Sequence, residues 1–230
     1  GGADAADFAC SISGSTVNIA FAADPNYESP ADADTNNVYI VTVLIDDGAA
    51  DDANGATTLT ITVADVNDIT PTYTATSTTP TVNEGATAVD SNVAITDADT
   101  GDSNTCNLGG ADAGSFTCTL SGQTAYTLAF SSAPDYENPG SAGSSNEYTV
   151  TVSINDGSND GATITYTVTV ADANDQTPVY QAADSDDAIT VNENVGTGTI
   201  DAGTITDTDT VGTYGCTLGG ADAADFACSI

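Results

Sequence analysis

The sequence contains no Lys, no Arg and no His, against 34 Asp and Glu, for a formal net charge of −34 over 230 residues. Side-chain salt bridges within such a chain are excluded, because every cationic partner is missing. Two carboxylates about 4 Å apart at an effective dielectric near 20 repel by about 4 kcal/mol. Spread over a wet surface, acidic groups aid solubility; gathered together, they require a bound cation or protonation. Nucleic acid is excluded as a partner, since nothing can neutralise a phosphate, and an anionic membrane surface is excluded likewise. A Ser nucleophile has no His or Lys base, and nothing marks one carboxylate pair for glycoside hydrolysis. The chain therefore reads as a non-enzyme. Met is absent even at position 1, so the sequence is expected to begin after processing or inside a longer chain. No apolar run reaches the length of a membrane-spanning helix, and no charged-then-apolar leader is present. Direct membrane insertion is not expected.

What is present is order. Hydrophobic residues make up 40% of the chain and alternate with polar ones, which argues against a disordered acidic polymer. The segment GGADAADFACSI at 1–12 recurs identically at 219–230, with GGADAGSFTCTL at 109–120 between them. ITVADVNDITPTY at 61–73 is likewise echoed by VTVADANDQTPVY at 168–180. The repeat unit is thus about 108 residues, the size of one small domain. Residues 1–70 read as the C-terminal part of one repeat, 71–177 as a complete repeat and 178–230 as the beginning of the next.

Within the repeats the period is two. Tyr148, Val150, Val152 and Ile154 alternate with Thr149, Thr151 and Ser153, and Ile164, Tyr166, Val168 and Val170 alternate with Thr165, Thr167 and Thr169. Tyr39, Val41, Val43 and Ile45, then Leu59, Ile61 and Val63, do the same in the first unit. Such alternation predicts half-buried antiparallel strands, and several short strands in about 100 residues predict a two-sheet sandwich. No stretch carries helical periodicity.

Cys106 and Cys118 are 12 residues apart, as are Cys216 and Cys228, and each pair brackets LGGADA. This spacing predicts a disulfide across the connection between neighbouring strands. Closing such a loop contributes about 3 kcal/mol and implies an oxidising, extracellular setting. Cys10 aligns with Cys118 and Cys228, with its expected partner position lying before residue 1.

The acidic residues of the complete repeat fall into groups at strand ends and connections: Glu84; Asp97 and Asp99; Asp135 and Glu137; Asp156; and Asp172, Asn174 and Asp175. Several carboxylates with Asn carbonyls suit Ca2+, which takes six to eight oxygen ligands. Zinc and copper lack their usual His and thiolate ligands. DADTGDSN superficially resembles an EF-hand loop but places Gly101 at its fifth position and has no Glu at the twelfth.

Taken together and in this order, these elements resemble the extracellular cadherin repeat, over the whole chain. The resemblance rests on a Glu near the first strand (Glu84, Glu193), an Asp-x-Asp (Asp97 and Asp99; Asp207 and Asp209), an Asp-x-Glu (Asp135, Glu137), an Asp-Gly after a long strand (Asp47, Asp156) and the terminal Asp-x-Asn-Asp-x-x-Pro. It implies tandem Greek-key β-sandwiches joined end to end through calcium-binding linkers. One junction would then use Asn26, Glu28, Asp65, Asn67 and Asp68 from one repeat and Asp97, Asp99, Asp156 and the Asn104 carbonyl from the next. The other would use Glu84, Asp135, Glu137, Asp172, Asn174 and Asp175 with Asp207 and Asp209. Asn26 stands where the next unit has Asp135, which implies a weaker outermost ion at the first junction. The Trp through which adhesive cadherins dock is absent, so that adhesion mechanism is not implied.

The functional expectation is a structural link in a long extracellular fibre or cell-surface stalk, its partners being neighbouring repeats and other copies. An adhesin repeat mediating calcium-dependent attachment is the alternative, and exposed aromatics would mark it. The duplicated dodecamer reads as two repeats plus overlap from a longer array. Half-domains completed by neighbours would supply one strand twice, from 1–12 and from 219–230.

Overall fold

The computed structural model describes residues 1–46, 55–101, 103–183, 189–194 and 196–230. Asp47, of the first Asp-Gly pair, lies outside the described residues. Strand alternation is realised along the chain. Strands β1 (Phe8–Ser13) and β2 (Thr16–Phe21) form an antiparallel hairpin, and β3 (Val38–Val43) pairs antiparallel with β4 (Thr57–Thr62). Next come β5 (Thr72–Tyr73), β6 (Thr81–Asn83), β7 (Ala88–Thr96), β8 (Thr105–Gly109), β9 (Phe116–Ser121), β10 (Ala125–Phe130), β11 (Glu147–Asn155) and β12 (Ile164–Ala171). A short antiparallel pair, β13 (Val179–Gln181) and β14 (Thr204–Thr206), follows. The only helical elements among the described residues are three-residue 3-10 turns, each in a Gly-Gly-Ala-Asp loop.

Strands β5 to β12 build two four-stranded sheets, ordered β5-β7-β10-β9 and β6-β12-β11-β8. Pairing is antiparallel except where β6 runs parallel to β12, with Val82 opposite Val170. The hairpins β1–β2 and β9–β10 turn at Ser-Gly, where Gly14 and Gly122 take φ values of 61° and 60° that an L side chain rarely adopts.

The chain falls into two compact units. One comprises Gly1–Tyr73, Ile95–Thr105 and Ile154–Ala162; the other comprises Thr74–Ala94, Cys106–Ser153 and Thr163–Ile230. Strands β7, β8 and β11 contribute residues to both.

The core of the second unit is the inward phase of the alternation. Tyr148 and Val150 of β11 lie beside Val168 and Tyr166 of β12, and Val152, Val170 and Tyr126, Leu128 and Phe130 of β10 are buried with them. Each such side chain contributes roughly 1.5–3 kcal/mol through burial. Phe116 stacks on Phe130 at 4.5 Å between centroids, and Tyr148 meets Phe130 edge-on at 5.1 Å. The first unit repeats the arrangement with Phe8, Phe21 and Tyr39, at 4.6 and 5.1 Å.

One polar relay crosses this core. Tyr166 donates to Asp90 Oδ2 at 3.0 Å while its hydroxyl lies 2.8 Å from that of Tyr126, so Tyr126 donates to Tyr166. Burial, Tyr126 and Asp90 together push the Tyr166 phenol well above its usual range. The relay ties β12 in one sheet to β7 and β10 in the other. The disulfide Cys106–Cys118 joins β8 to β9, again one strand from each sheet. Cys216 is bonded to Cys228, and Cys10 is a free, exposed thiol.

Candidate metal centres

The Asp-x-Asn-Asp stretch follows a strand, two residues after β4 in the first repeat and directly after β12 in the second, and leads to a proline. The strand directs the first Asp and Asn beyond the sandwich edge, and the proline prevents the ladder from continuing. In the first unit this brings Glu28, Asp65 and Asp99 together, with one carboxylate oxygen of each within 4.8 Å of the others. In the second unit, Glu137 belongs to two such groups, one with Glu84 and Asp175, the other with Asp172 and Asp209.

Backbone donors hold the two clusters in the same way. Ile69 N–H donates to Asp99 Oδ2 at 2.8 Å, and Gln176 N–H donates to Asp209 Oδ2 at 2.9 Å. Asp99 N–H donates to Asp97 Oδ1 at 3.3 Å, and Asp209 N–H donates to Asp207 Oδ1 at 3.3 Å. The Thr100 amide donates to Asp65 Oδ2 at 2.7 Å, and the Thr100 hydroxyl does the same. Thr210 engages Asp172 with the same two groups. Glu84 accepts the Tyr136 and Ala173 amides, one on each oxygen, at 2.7 and 2.6 Å.

After this clamping, one set of oxygens is left without a donor. Glu28 Oε1, Asp65 Oδ1, Asp97 Oδ2 and Asp99 Oδ1 are enclosed with no hydrogen-bond partner in the first unit. Both carboxylate oxygens of Glu137, Asp172 Oδ1 and Asp209 Oδ1 are in the same state in the second. Buried acceptors normally find a donor, and enclosed charge without compensation is strongly unfavourable. The donor set is all hard oxygen, which fits a calcium ion.

Electrostatics follow the same division. The Glu28 carboxyl is raised overall: its own backbone hydrogen bond pulls it down, but desolvation and the charges of Asp68, Asp99 and Asp65 outweigh that pull. Desolvation and the charges of Glu84, Asp172 and Asp209 raise Glu137. Asp209 is raised first by desolvation and then by Asp207, Asp172 and Asp175, against the opposing Gln176 amide. Asp65 is held low by the Thr100 hydroxyl and amide. Asp156 is desolvated, yet the Asn159 and Ser158 amides and the Asn159 and Asn67 side chains hold it low.

The remaining expected ligands take varied places. Asn67 Nδ2 donates to the Asp156 carbonyl at 3.1 Å, and both Asp156 and Asn104 are buried. Asn26 and Asp135 are exposed and accept the Ser29 and Asn138 amides at 2.8 and 2.9 Å. Asp68, Asn174 and Asp175 are exposed, and Asn174 packs against Gly212. Glu193 is exposed and belongs to neither cluster.

The reading of motifs missed a second role for aspartate. Asp112 is buried, and its two oxygens accept the Ala142 and Thr149 amides, both at 2.6 Å. Asp4 does the same for Ala33 and Ile40, at 2.7 and 2.6 Å. The glycine two residues earlier lies flat on the same strand: a Cβ on Gly110, at φ 93°, would meet the Thr149 carbonyl at 2.9 Å. The signal was the repeated Gly-Gly-Ala-Asp itself, which marks a docking loop and not only a connection.

Comparison with solved structures decides the architecture. A protocadherin gammaB7 EC3-6 cis-dimer matches with a TM-score of 0.58 and 27% identity, over 92% of this chain and 48% of that one. Human CDH23 EC21-23 matches with a TM-score of 0.56 and 26% identity, over 90% of this chain and 62% of that one. The fold is cadherin-like. Protocadherin Gamma B2 extracellular cadherin domains 1-5 match at 0.52 and 23% identity, over 83% of this chain and 34% of that one. The cadherin-like chain thus spans roughly one third to three fifths of the length of these solved chains. No established family profile and no curated protein matches the sequence. No helix among the described residues is long and apolar enough to cross a membrane.

Proposed function

We propose that this chain is a structural repeat of an extracellular fibre or cell-surface stalk whose consecutive repeats are locked together by calcium. The repeat boundaries fall at Thr70–Pro71 and Thr177–Pro178. The observation that carries the reading is the pair of clusters around Glu28, Asp65 and Asp99 and around Glu137, Asp172 and Asp209. Each has enclosed carboxylate oxygens that no donor satisfies, in a chain that holds no cationic side chain. Residues Asn26, Glu28, Asp65, Asn67, Asp68, Asp97, Asp99, Asn104 and Asp156 would hold calcium at one junction. Residues Glu84, Asp135, Glu137, Asp172, Asn174, Asp175, Asp207 and Asp209 would hold it at the other. Bound calcium supplies the positive charge that the sequence lacks and bridges carboxylates from successive repeats.

Support also comes from the cadherin-like fold and from two disulfides, which suit an oxidising exterior. Ligand that binds the folded chain alone raises stability by mass action. Calcium should therefore raise the unfolding temperature, chelator should reverse the rise, and sodium of equal ionic strength should not reproduce it. An unfolding temperature indifferent to millimolar calcium contradicts the proposal.

A further inference from the structure

The turn between β11 and β12 carries Asn-Asp-Gly twice, at 155–157 and 159–161, and of these residues only Asp156 belongs to the proposed calcium ligands. The first copy closes the turn on itself. Asp156 Oδ1 accepts the Ser158 and Asn159 amides at 2.7 and 2.6 Å, and the Asn159 carbonyl accepts the Asp156 amide at 3.2 Å. Asn155 Nδ2 donates to Asp160 Oδ1 at 2.8 Å, where the two residues also form a backbone bridge. Gly157, at φ 103°, takes a bend that an L side chain rarely adopts. A turn fixed in this way aims the half-buried Asn159 side chain in one direction.

That direction is the linker. Asn159 Nδ2 donates to Asn67 Oδ1 at 3.0 Å and reaches the Ile69 carbonyl and Asp156 Oδ2, each at 3.4 Å. All three neighbours are acceptors, which fixes the amide with its nitrogen inward. Asn67 Nδ2 in turn donates to the Asp156 carbonyl at 3.1 Å. Two residues on, Gly161 lies flat on the linker: a Cβ there would meet the Pro71 carbonyl at 2.8 Å and the Tyr73 ring at 2.6 Å. The Tyr73 hydroxyl accepts the Ile154 amide at 3.0 Å and donates to the Ala162 carbonyl, so it clasps both sides of the turn. Linker and turn belong to one compact unit.

The oxygens of this junction therefore divide into two sets. Glu28 Oε1, Asp65 Oδ1, Asp97 Oδ2 and Asp99 Oδ1 are enclosed without a donor, whereas Asn67 Oδ1 and Asp156 Oδ2 converge on the Asn159 amide. We propose that the Asn159 amide is a neutral stand-in for a cation at the first junction: it tethers the linker to the β11–β12 turn unaided, and calcium reaches Asn67 Oδ1 and Asp156 Oδ2 only by displacing it. The displacement, though not the tether, rests on the calcium reading. Glu28 and Asp65 are not acceptors in the tether, so it holds the linker on the turn and leaves their repulsion in place. The ion that takes these two oxygens binds more weakly than they alone would allow, because only the fraction of chains with the amide swung away can receive it.

The test is hydrogen exchange of linker residues 66–70, read by mass spectrometry, together with calorimetric calcium titration, on the full chain and on Asn159→Ala and Asn159→Asp. In excess chelator Asn159→Ala should speed linker exchange by about threefold to tenfold, while exchange in β11 and β12 and the sheet signal stay constant. In the titration its weakest calcium step should tighten by a similar factor, and Asn159→Asp, which puts a carboxylate in place of the donor, should tighten that step further. A side chain that merely shaped the turn would weaken every step or none. Linker exchange in chelator equal to that of the parent chain would overturn the tether. Calcium binding that is unchanged or weaker in Asn159→Ala would overturn the displacement. A parent chain that binds no calcium sinks the calcium reading and the displacement together, while linker exchange in chelator still decides the tether.

Discussion

Aspartate serves two distinct purposes in this chain, and single substitutions separate them. Asp112 satisfies two buried amides, so Asp112→Ala leaves the Ala142 and Thr149 N–H groups without acceptors. Each orphaned group costs about 1–3 kcal/mol, and denaturant unfolding should show a loss of that order even in saturating calcium. Asp222→Ala removes the equivalent residue from the exposed loop at 219–222 and should leave stability unchanged; equal losses in the two variants would refute the clamp. Asp172 lies at the other extreme. One of its oxygens is held by Thr210 and the other has no partner. Asp172→Ala should weaken calcium binding at that junction by at least tenfold, about 1.4 kcal/mol, as read by titration calorimetry. The sheet signal of the 71–177 repeat should survive in calcium; its collapse would make the cluster part of the core. Motif spacing made the acidic groups legible. It did not distinguish Asp112 from a ligand, because the difference lies in which backbone amides a folded loop presents.

Strands were the most legible elements, since β11 and β12 bury the residues that their alternation nominates. Alternation says nothing of polar residues placed in the buried phase, so Asp90 and its relay to Tyr166 and Tyr126 were invisible in the sequence. Cysteine spacing was informative because LGGADA fixes the separation of the two flanking strands. In the structure Cys106 and Cys118 tie one sheet to the other with Cα atoms 6.1 Å apart. Alkylation without reductant should add one label per chain, on Cys10, and none on Cys106 or Cys118. Labelling of Cys106 and Cys118 in unreduced protein would contradict the pairing.

At the scale of the molecule, the absence of every cationic side chain is the governing fact. The complete sandwich is held by apolar faces, ring stacks and a disulfide, none of which needs metal. Each acidic cluster, by contrast, enforces repulsion that no residue of the chain relieves. Calcium is therefore expected to change how repeats are joined and not whether they fold. The sequence could suggest this through the order of its motifs, whereas the enclosed oxygens without a donor emerge only once the chain is folded. Small-angle X-ray scattering of the dilute chain tests the claim most directly. In millimolar calcium the maximum dimension should be that of repeats held in line, and chelator should broaden the distance distribution and shorten its mean while the circular-dichroism sheet signal stays constant. Identical scattering curves in calcium and in excess chelator would contradict the account.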